Sequence, residues 1–173
     1  SYRLAADRAA IGTGSGCIPV SLVHRLPLST VHAWDVSPEA LEVARRNAIR
    51  NGVTVHFQQV DALQESWPSL NIDVLVSNPP YITEKERTDM ERNVLDWEPE
   101  LALFVPDNDP LLFYRHIARI GLDLLSPSGT LYYEINRAYG AETVSLLQQL
   151  GYHSVELRKD LSGNDRMVKA VKP

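Results

Sequence analysis

Apolar, β-branched runs alternate with helical patterns along nearly the whole chain, and that alternation narrows its possible folds more than any other feature. Strands separated by helices run parallel, and a parallel strand buried on both faces reads as an unbroken apolar run. Strands are expected at Val31–Asp35, Val53–Val60, Ile72–Ser77, Gly129–Ile135, Tyr152–Lys159 and Met167–Lys172. Helices are expected over Cys17–Arg25, after Asp35, over Pro110–Leu125 and over Ala141–Leu150. The helix after Asp35 is the best marked: Ser37 is placed as N-cap, Pro38 as first residue, and Gly52 just past the end. Its buried stripe is read as Leu41, Ala44, Ala48 and Ile49. The last two strands are joined by Asp160–Asp165, rich in Gly, Asn and Ser, which reads as an antiparallel hairpin ending the sheet. The fold class is therefore α/β with a largely parallel sheet.

A chain of 173 residues suits one domain with a sizeable core. No internal repeat, low-complexity tract or interdomain linker interrupts it. No apolar run approaches the roughly 20 residues of a membrane span, and the first residues lack the apolar stretch of a signal peptide. Cys17 is the single cysteine, which excludes an intrachain disulfide and the paired spacings of a zinc site. His24, His32, His56, His116 and His153 lack ligand spacing and read as structural or surface residues, so no metal is expected. A cytoplasmic location and no membrane partner follow as expectations. The net charge of −5 argues against stable, unaided adhesion to a nucleic-acid backbone. Segment 84–109 carries nine acidic and three basic residues, and reads as a solvated stretch or as one wall of a cleft.

The chemistry concentrates where strands end. Ile11-Gly12-Thr13-Gly14-Ser15-Gly16 opens a helix, where glycines allow close backbone approach to a ligand and the helix start offers unpaired N–H groups. Its G-x-G-x-G spacing differs from the G-x-G-x-x-G of dinucleotide folds and disfavours a nicotinamide enzyme; taken alone it is also compatible with a plain tight turn. Asp35 closes the next strand, where a carboxylate can accept both hydroxyls of a ribose or cap the helix beginning at Ser37-Pro38. Asp61 and Ala62 end the third strand, beside an adenine or as the cap of a short turn. Val74-Leu75-Val76-Ser77-Asn78-Pro79-Pro80-Tyr81 ends in an amide, two prolines and a phenol. The prolines remove two donors and stiffen the turn, leaving acceptors that suit a planar –NH2 group with an aromatic over its face. A structural turn is the plainer alternative. Glu134 at a strand end reads as a surface or capping carboxylate, or as one that reaches the cleft, and Trp34, Trp67 and Trp97 as packing residues, with Trp97 also suited to the substrate side. In an open α/β sheet ligands collect at the carboxyl ends of the strands, where Gly12–Gly16, Asp35, Asp61 and Asn78 fall in chain order.

These residues resemble the class I S-adenosylmethionine-dependent methyltransferases, and more closely the HemK/PrmC-type protein glutamine methyltransferases. Ile11–Cys17 is similar to that family's cofactor loop, and Val76–Ile82 to its Asn-Pro-Pro-Tyr site. Trp97–Leu103 and Asp160–Arg166, with its Gly-Asn-Asp-Arg ending, match as well, so the resemblance covers Ile11 to Ala170. It implies a Rossmann-like, mostly parallel seven-stranded sheet with an antiparallel C-terminal hairpin. It implies that Gly12, Thr13, Gly14, Ser15 and Gly16 hold the methionine part of S-adenosyl-L-methionine, Asp35 the ribose, and Asp61 with Ala62 the adenine, with Asn78 a cofactor-binding residue as well. Asn78 and the Pro79 carbonyl would accept from the substrate amide nitrogen, with Pro80 and Tyr81 shaping the slot. S-adenosylhomocysteine is the implied product, and the implied partner is a peptide chain release factor methylated at the glutamine N5 of its Gly-Gly-Gln loop. Two departures stand out. Ala10 replaces an acidic residue usual in the family, and Ser1–Ala9 matches an apolar first strand poorly. The first ten residues are therefore expected to be a leader or degenerate strand ahead of a methyltransferase domain at 11–173, without the family's N-terminal helical domain. A ribosomal protein substrate, a nucleic-acid base, and cofactor binding without catalysis are the alternatives.

Overall fold

The structure is a computed structural model that describes residues 6–64, 66–83 and 104–173. The expected alternation becomes β1 (Asp7–Ile11), α1 (Cys17–Arg25), β2 (Thr30–Asp35), α2 (Pro38–Arg50), β3 (His56–Gln59) and β4 (Ile72–Ser77). A short pair follows, β5 (Ile82–Thr83) and β6 (Phe104–Val105), and then α3 (Leu112–Leu124), β7 (Leu125–Glu134), α4 (Gly140–Gln149), β8 (His153–Lys159) and β9 (Asp165–Val171). Seven strands form one sheet in the order β3-β2-β1-β4-β7-β9-β8. The pairs from β3 to β7 are parallel, and β9 runs antiparallel to both β7 and β8.

β1 corrects the expectation of a poorly defined first strand. It lies at the middle of the sheet, between β2 and β4. Its charged residues sit at the open end: the Asp7 N–H donates to the Asp73 carboxylate at 3.0 Å, and Arg8 reaches the Ala6 carbonyl and the Ser29 hydroxyl. Ala9, Ala10 and Ile11 are buried. Ladders on both sides satisfy the backbone, so three small or medium apolar side chains suffice where a longer apolar run was looked for.

Successive strand residues face opposite sides of the sheet. Ala9, Ile11, Trp34, Leu75, Leu131 and Tyr133 join one buried cluster with Tyr114, Ile117 and Ile120 of α3 and Leu147 of α4. Ala10, Val31 and Ala33 alternate with them and are buried on the side of α1 and α2. The Ser37 hydroxyl accepts from the Ala40 N–H at 3.1 Å, as an N-cap should, with Pro38 opening the helix. Leu41, Ala44 and Ala48 are buried, but Ile49 is 78% exposed, contrary to the expected stripe. At about 100° per residue, position 49 is turned well away from the line through 41, 44 and 48. Ile49→Lys is accordingly expected to move the urea unfolding free energy by less than about 0.5 kcal/mol, whereas Leu41→Ala should cost about 2–5 kcal/mol.

The two strand starts that differ most from expectation do so for physical reasons. β3 starts at His56 rather than Val53, because the Val53 N–H is used by the Ala48 carbonyl to close α2. β7 starts at Leu125 rather than Gly129. It passes through Ser126-Pro127-Ser128 by way of an irregularity opposite Ile72–Val74, with Ser128 at φ 64°. Among the described residues no helix is long and apolar enough to cross a membrane.

Candidate active site

Strand order reverses between β1 and β4: the chain steps outward to β2 and β3, then returns to β4 and continues the other way. This switch point leaves a crevice at the strands' carboxyl ends. Ile11 lies opposite Ser77 across it, and the buried Ser77 hydroxyl donates to the Ile11 carbonyl at 2.8 Å. The Gly turn and the Asn-Pro-Pro turn are thereby held side by side. A Cβ on Gly12 would lie 3.6 Å from the Asn78 carbonyl oxygen. Ser77 carries this junction and was read only as the end of an apolar run.

Gly12, Gly14 and Gly16 all have positive φ, at 72°, 53° and 86°, a region costly for other residues. Gly16 has a second reason to be glycine: a Cβ there would sit 2.9 Å from the Ala44 Cβ. Gly14 faces open space within 4 Å, and its N–H donates to Asp35 Oδ2 at 2.8 Å. The other Asp35 oxygen accepts from the Ser37 N–H at 2.9 Å. Asp35 therefore caps the next turn and ties down the Gly loop together. The Thr13 hydroxyl, buried, donates to the Trp34 carbonyl at 3.0 Å, and Ser15 is exposed with its carbonyl accepting from Asn47. Asp61 follows β3 and accepts from the Leu63 N–H at 2.8 Å, so it serves as a turn cap, while Ala62 is buried in the core. An open-faced glycine turn bordered by a strand-end carboxylate fits a nucleoside ligand.

On the other side of the crevice Asn78 is exposed, Pro79 buried, and Pro80 and Tyr81 half-buried. Tyr81 is the hub. Its hydroxyl donates to Glu134 Oε1 at 3.4 Å, and its carbonyl accepts from the Asn136 amide at 3.1 Å. Burial pushes the Tyr81 phenol up, the Glu134 charge adds to this, and Arg166 opposes it. Glu134, read as a surface or capping carboxylate or as one that reaches the cleft, does reach the cluster from the end of β7. Asn136 was missed: the strand was expected to end at Ile135, and nothing local marked the next residue. The usable signal was an amide just past a strand's carboxyl end, the same position that Asn78 occupies after β4. Asn136 is itself fixed, since its side chain accepts from the Ala138 N–H and its own N–H donates to the buried Tyr114 hydroxyl at 3.1 Å.

Beyond Tyr81 the chain pairs Ile82–Thr83 with Phe104–Val105 in parallel, so it leaves and re-enters beside the site. Trp97–Leu103 and most of the acidic segment lie outside the described residues. Of that segment's tail, Asp109 accepts two bonds from the Arg115 guanidinium, at 2.8 and 2.9 Å. Away from the site, His32 stacks on His56 at 5.1 Å. Burial, with His56 adding to it, lowers the His32 pKa.

Residues 3–96 match the methyltransferase small domain family. The chain is 52% identical over 161 residues to a release factor glutamine methyltransferase of Bacteroides thetaiotaomicron, covering 92% of this chain and 58% of that protein. It is 48% identical over 159 residues to one of Flavobacterium psychrophilum, covering 92% and 56%. The chain thus spans little more than half the length of these curated relatives. A methyltransferase of Pyrococcus furiosus superposes with a TM-score of 0.72 at 19% identity, over 97% of this chain and 75% of the other, and speaks to the fold alone.

Proposed function

This chain belongs to the methyltransferase small domain family, and from that premise we propose that it methylates the side-chain amide nitrogen, N5, of the glutamine in the Gly-Gly-Gln loop of peptide chain release factors. The observation that carries the reading is the junction of Gly turn and acceptor turn, so close that a Cβ added at Gly12 would lie 3.6 Å from the Asn78 carbonyl oxygen. The names of its two bacterial relatives support the choice of glutamine and of release factor.

Gly12, Thr13, Gly14, Ser15 and Gly16 would hold the methionine part of S-adenosyl-L-methionine, Asp35 the ribose, and Asp61 with Ala62 the adenine. When bound, this cofactor supplies an electrophilic methyl group on a good leaving group, S-adenosylhomocysteine being what remains. An amide nitrogen is a poor nucleophile because its lone pair is delocalised into the carbonyl. The Asn78 side-chain oxygen and the Pro79 carbonyl, as fixed acceptors, grip the amide hydrogens, reduce that delocalisation and stabilise positive charge growing on nitrogen. Pro80 and Tyr81 close the slot and orient the side chain, and such alignment can supply about 7–11 kcal/mol. The two prolines keep donors out of the turn, so the slot presents acceptors to the amide.

Calorimetric titration with S-adenosylmethionine and S-adenosylhomocysteine tests the cofactor half. One-site binding is expected, and Asp35→Ala should weaken it at least tenfold. The carboxylate loses its ribose contact, and the Gly14 N–H loses its acceptor. The substrate half is tested by mass spectrometry of a release factor after incubation, with one added methyl group expected on the Gly-Gly-Gln glutamine. Binding without methyl transfer to that glutamine would overturn the substrate assignment.

A further inference from the structure

We propose that Asn136 is a positioning residue for the substrate slot, its side-chain amide holding the Tyr81 carbonyl so that the acceptors of Asn78 and Pro79 keep their aim. The proposal deepens the glutamine reading and rests on it for the identity of the slot.

The acceptor turn needs an outside tether. Pro79 and Pro80 have no N–H to donate, so the turn lacks the backbone donors that pin most turns. It is held from its flanks instead. On one side the buried Ser77 hydroxyl donates to the Ile11 carbonyl at 2.8 Å, tying the turn to β1. On the other the Asn136 amide donates to the Tyr81 carbonyl at 3.1 Å, tying it to the chain just past β7. The bond from the Tyr81 hydroxyl to Glu134, at 3.4 Å, is too long to fix the turn by itself.

Asn136 can present its amide in one orientation only. Its Oδ1 accepts from the Ala138 N–H at 3.0 Å while its Nδ2 donates to Tyr81. Turning the amide over would set donor against donor at Ala138 and acceptor against acceptor at Tyr81. The backbone is fixed as well. The Asn136 N–H donates to the buried Tyr114 hydroxyl at 3.1 Å, and its carbonyl accepts from the Tyr139 N–H at 3.1 Å. The preceding Ile135 N–H donates to the Arg166 carbonyl at 2.9 Å, and Asn136 is itself buried. Capping of the short turn Arg137–Tyr139 accounts for the oxygen of this side chain, but not for its nitrogen. Aspartate and serine cap about as well as asparagine, yet neither brings an N–H to Tyr81.

Asn136→Asp separates the two roles, because its carboxylate keeps the capping oxygen and loses the donor. With a Gly-Gly-Gln release factor at neutral pH it should lower kcat about tenfold or more, with the KM for S-adenosylmethionine unchanged. On acidification the ratio of variant to wild-type kcat should rise. A protonated carboxyl regains an O–H to donate to Tyr81, and burial brings that protonation up towards neutrality. The Tyr81 and Tyr114 phenols, both pushed up by burial, stay protonated throughout. Glu134, the exposed Arg137 and Arg166 are common to both proteins and cancel in the ratio. Asn136→Ser, a neutral cap too short to reach Tyr81, should lose the rate without recovering it. A second measurement needs no substrate. Tyr81-Ile82 is the single Tyr-Ile pair in the sequence, so 13C-carbonyl tyrosine with 15N-isoleucine isolates one carbonyl by NMR. Its resonance should move upfield in both variants, as a carbonyl does on losing a hydrogen bond, and return on acidification in Asn136→Asp alone. An unmoved carbonyl, wild-type kcat in both variants, or a loss in Asn136→Asp that acid does not relieve overturns the proposal. A wild-type protein inactive on release factors whose Tyr81 carbonyl still responds to Asn136 overturns the glutamine reading alone.

Discussion

Asn78→Ala is expected to lower kcat/KM for release factor methylation by roughly 10²–10³-fold, the cost seen when one fixed polar group is removed from a developing charge. The fold should be nearly untouched. Asn78 is exposed, and what pins the turn comes from its neighbours, the Ser77 hydroxyl on the Ile11 carbonyl and the Asn136 amide on the Tyr81 carbonyl. Its unfolding free energy should stay within about 0.5 kcal/mol of wild type. Cofactor affinity should fall far less than turnover, because the Gly turn and Asp35 are unaltered. Asn78→Asp keeps two acceptor oxygens and should retain more activity than alanine. Wild-type turnover in Asn78→Ala would end the acceptor mechanism, and equal loss in both variants would mean that acceptance alone is not the role of the amide.

Tyr114→Ala should be the most damaging of the stability changes considered, at about 3–5 kcal/mol. The side chain is fully buried in the α3 cluster and meets Tyr133 edge-on with ring centroids 5.3 Å apart. The Tyr133 hydroxyl also donates to the Tyr114 carbonyl at 2.8 Å, so the pair is joined by backbone and ring. Tyr114→Phe separates packing from hydrogen bonding. It keeps the ring but removes the hydroxyl that accepts from the Asn136 N–H, the loss of that bond costing about 1–3 kcal/mol. Because Asn136 carries the Tyr81 carbonyl, Tyr114→Phe should also reduce kcat while sparing cofactor affinity. Chemical denaturation gives the first quantity and steady-state kinetics the second. An unaltered kcat in a measurably destabilised Tyr114→Phe would show that the Asn136 loop packs without positioning the slot.

Strand ends were legible because their signals are local. An apolar run followed by Gly12–Gly16, by Asp35 before Ser37-Pro38, or by Asn78-Pro79-Pro80 states its own geometry through backbone restriction and capping, and the structure brings all three to one crevice. Asp35 was read as ribose acceptor or cap, and in the structure it caps while also holding Gly14. The hairpin at 160–165 was equally plain. Ile49 shows the limit of a stripe read by type, since an apolar residue one step past a buried face is simply exposed. β1 shows the opposite limit: short, charged at its start and rich in alanine, it carries little intrinsic strand preference, and two neighbouring ladders determine its state.

By itself the sequence determined the element types, the parallel sheet with its antiparallel end, and the turns that close its strands, because periodicity, capping and backbone restriction act over a few residues. Tertiary structure alone decided what surrounds Tyr81. Its partners Glu134 and Asn136 lie 53 and 55 residues away along the chain. Those contacts depend on strand order and register, which bring β4, β7 and β9 side by side with their ends level. No local preference of a glutamate or an asparagine encodes a partner at that separation; the sheet that joins them does.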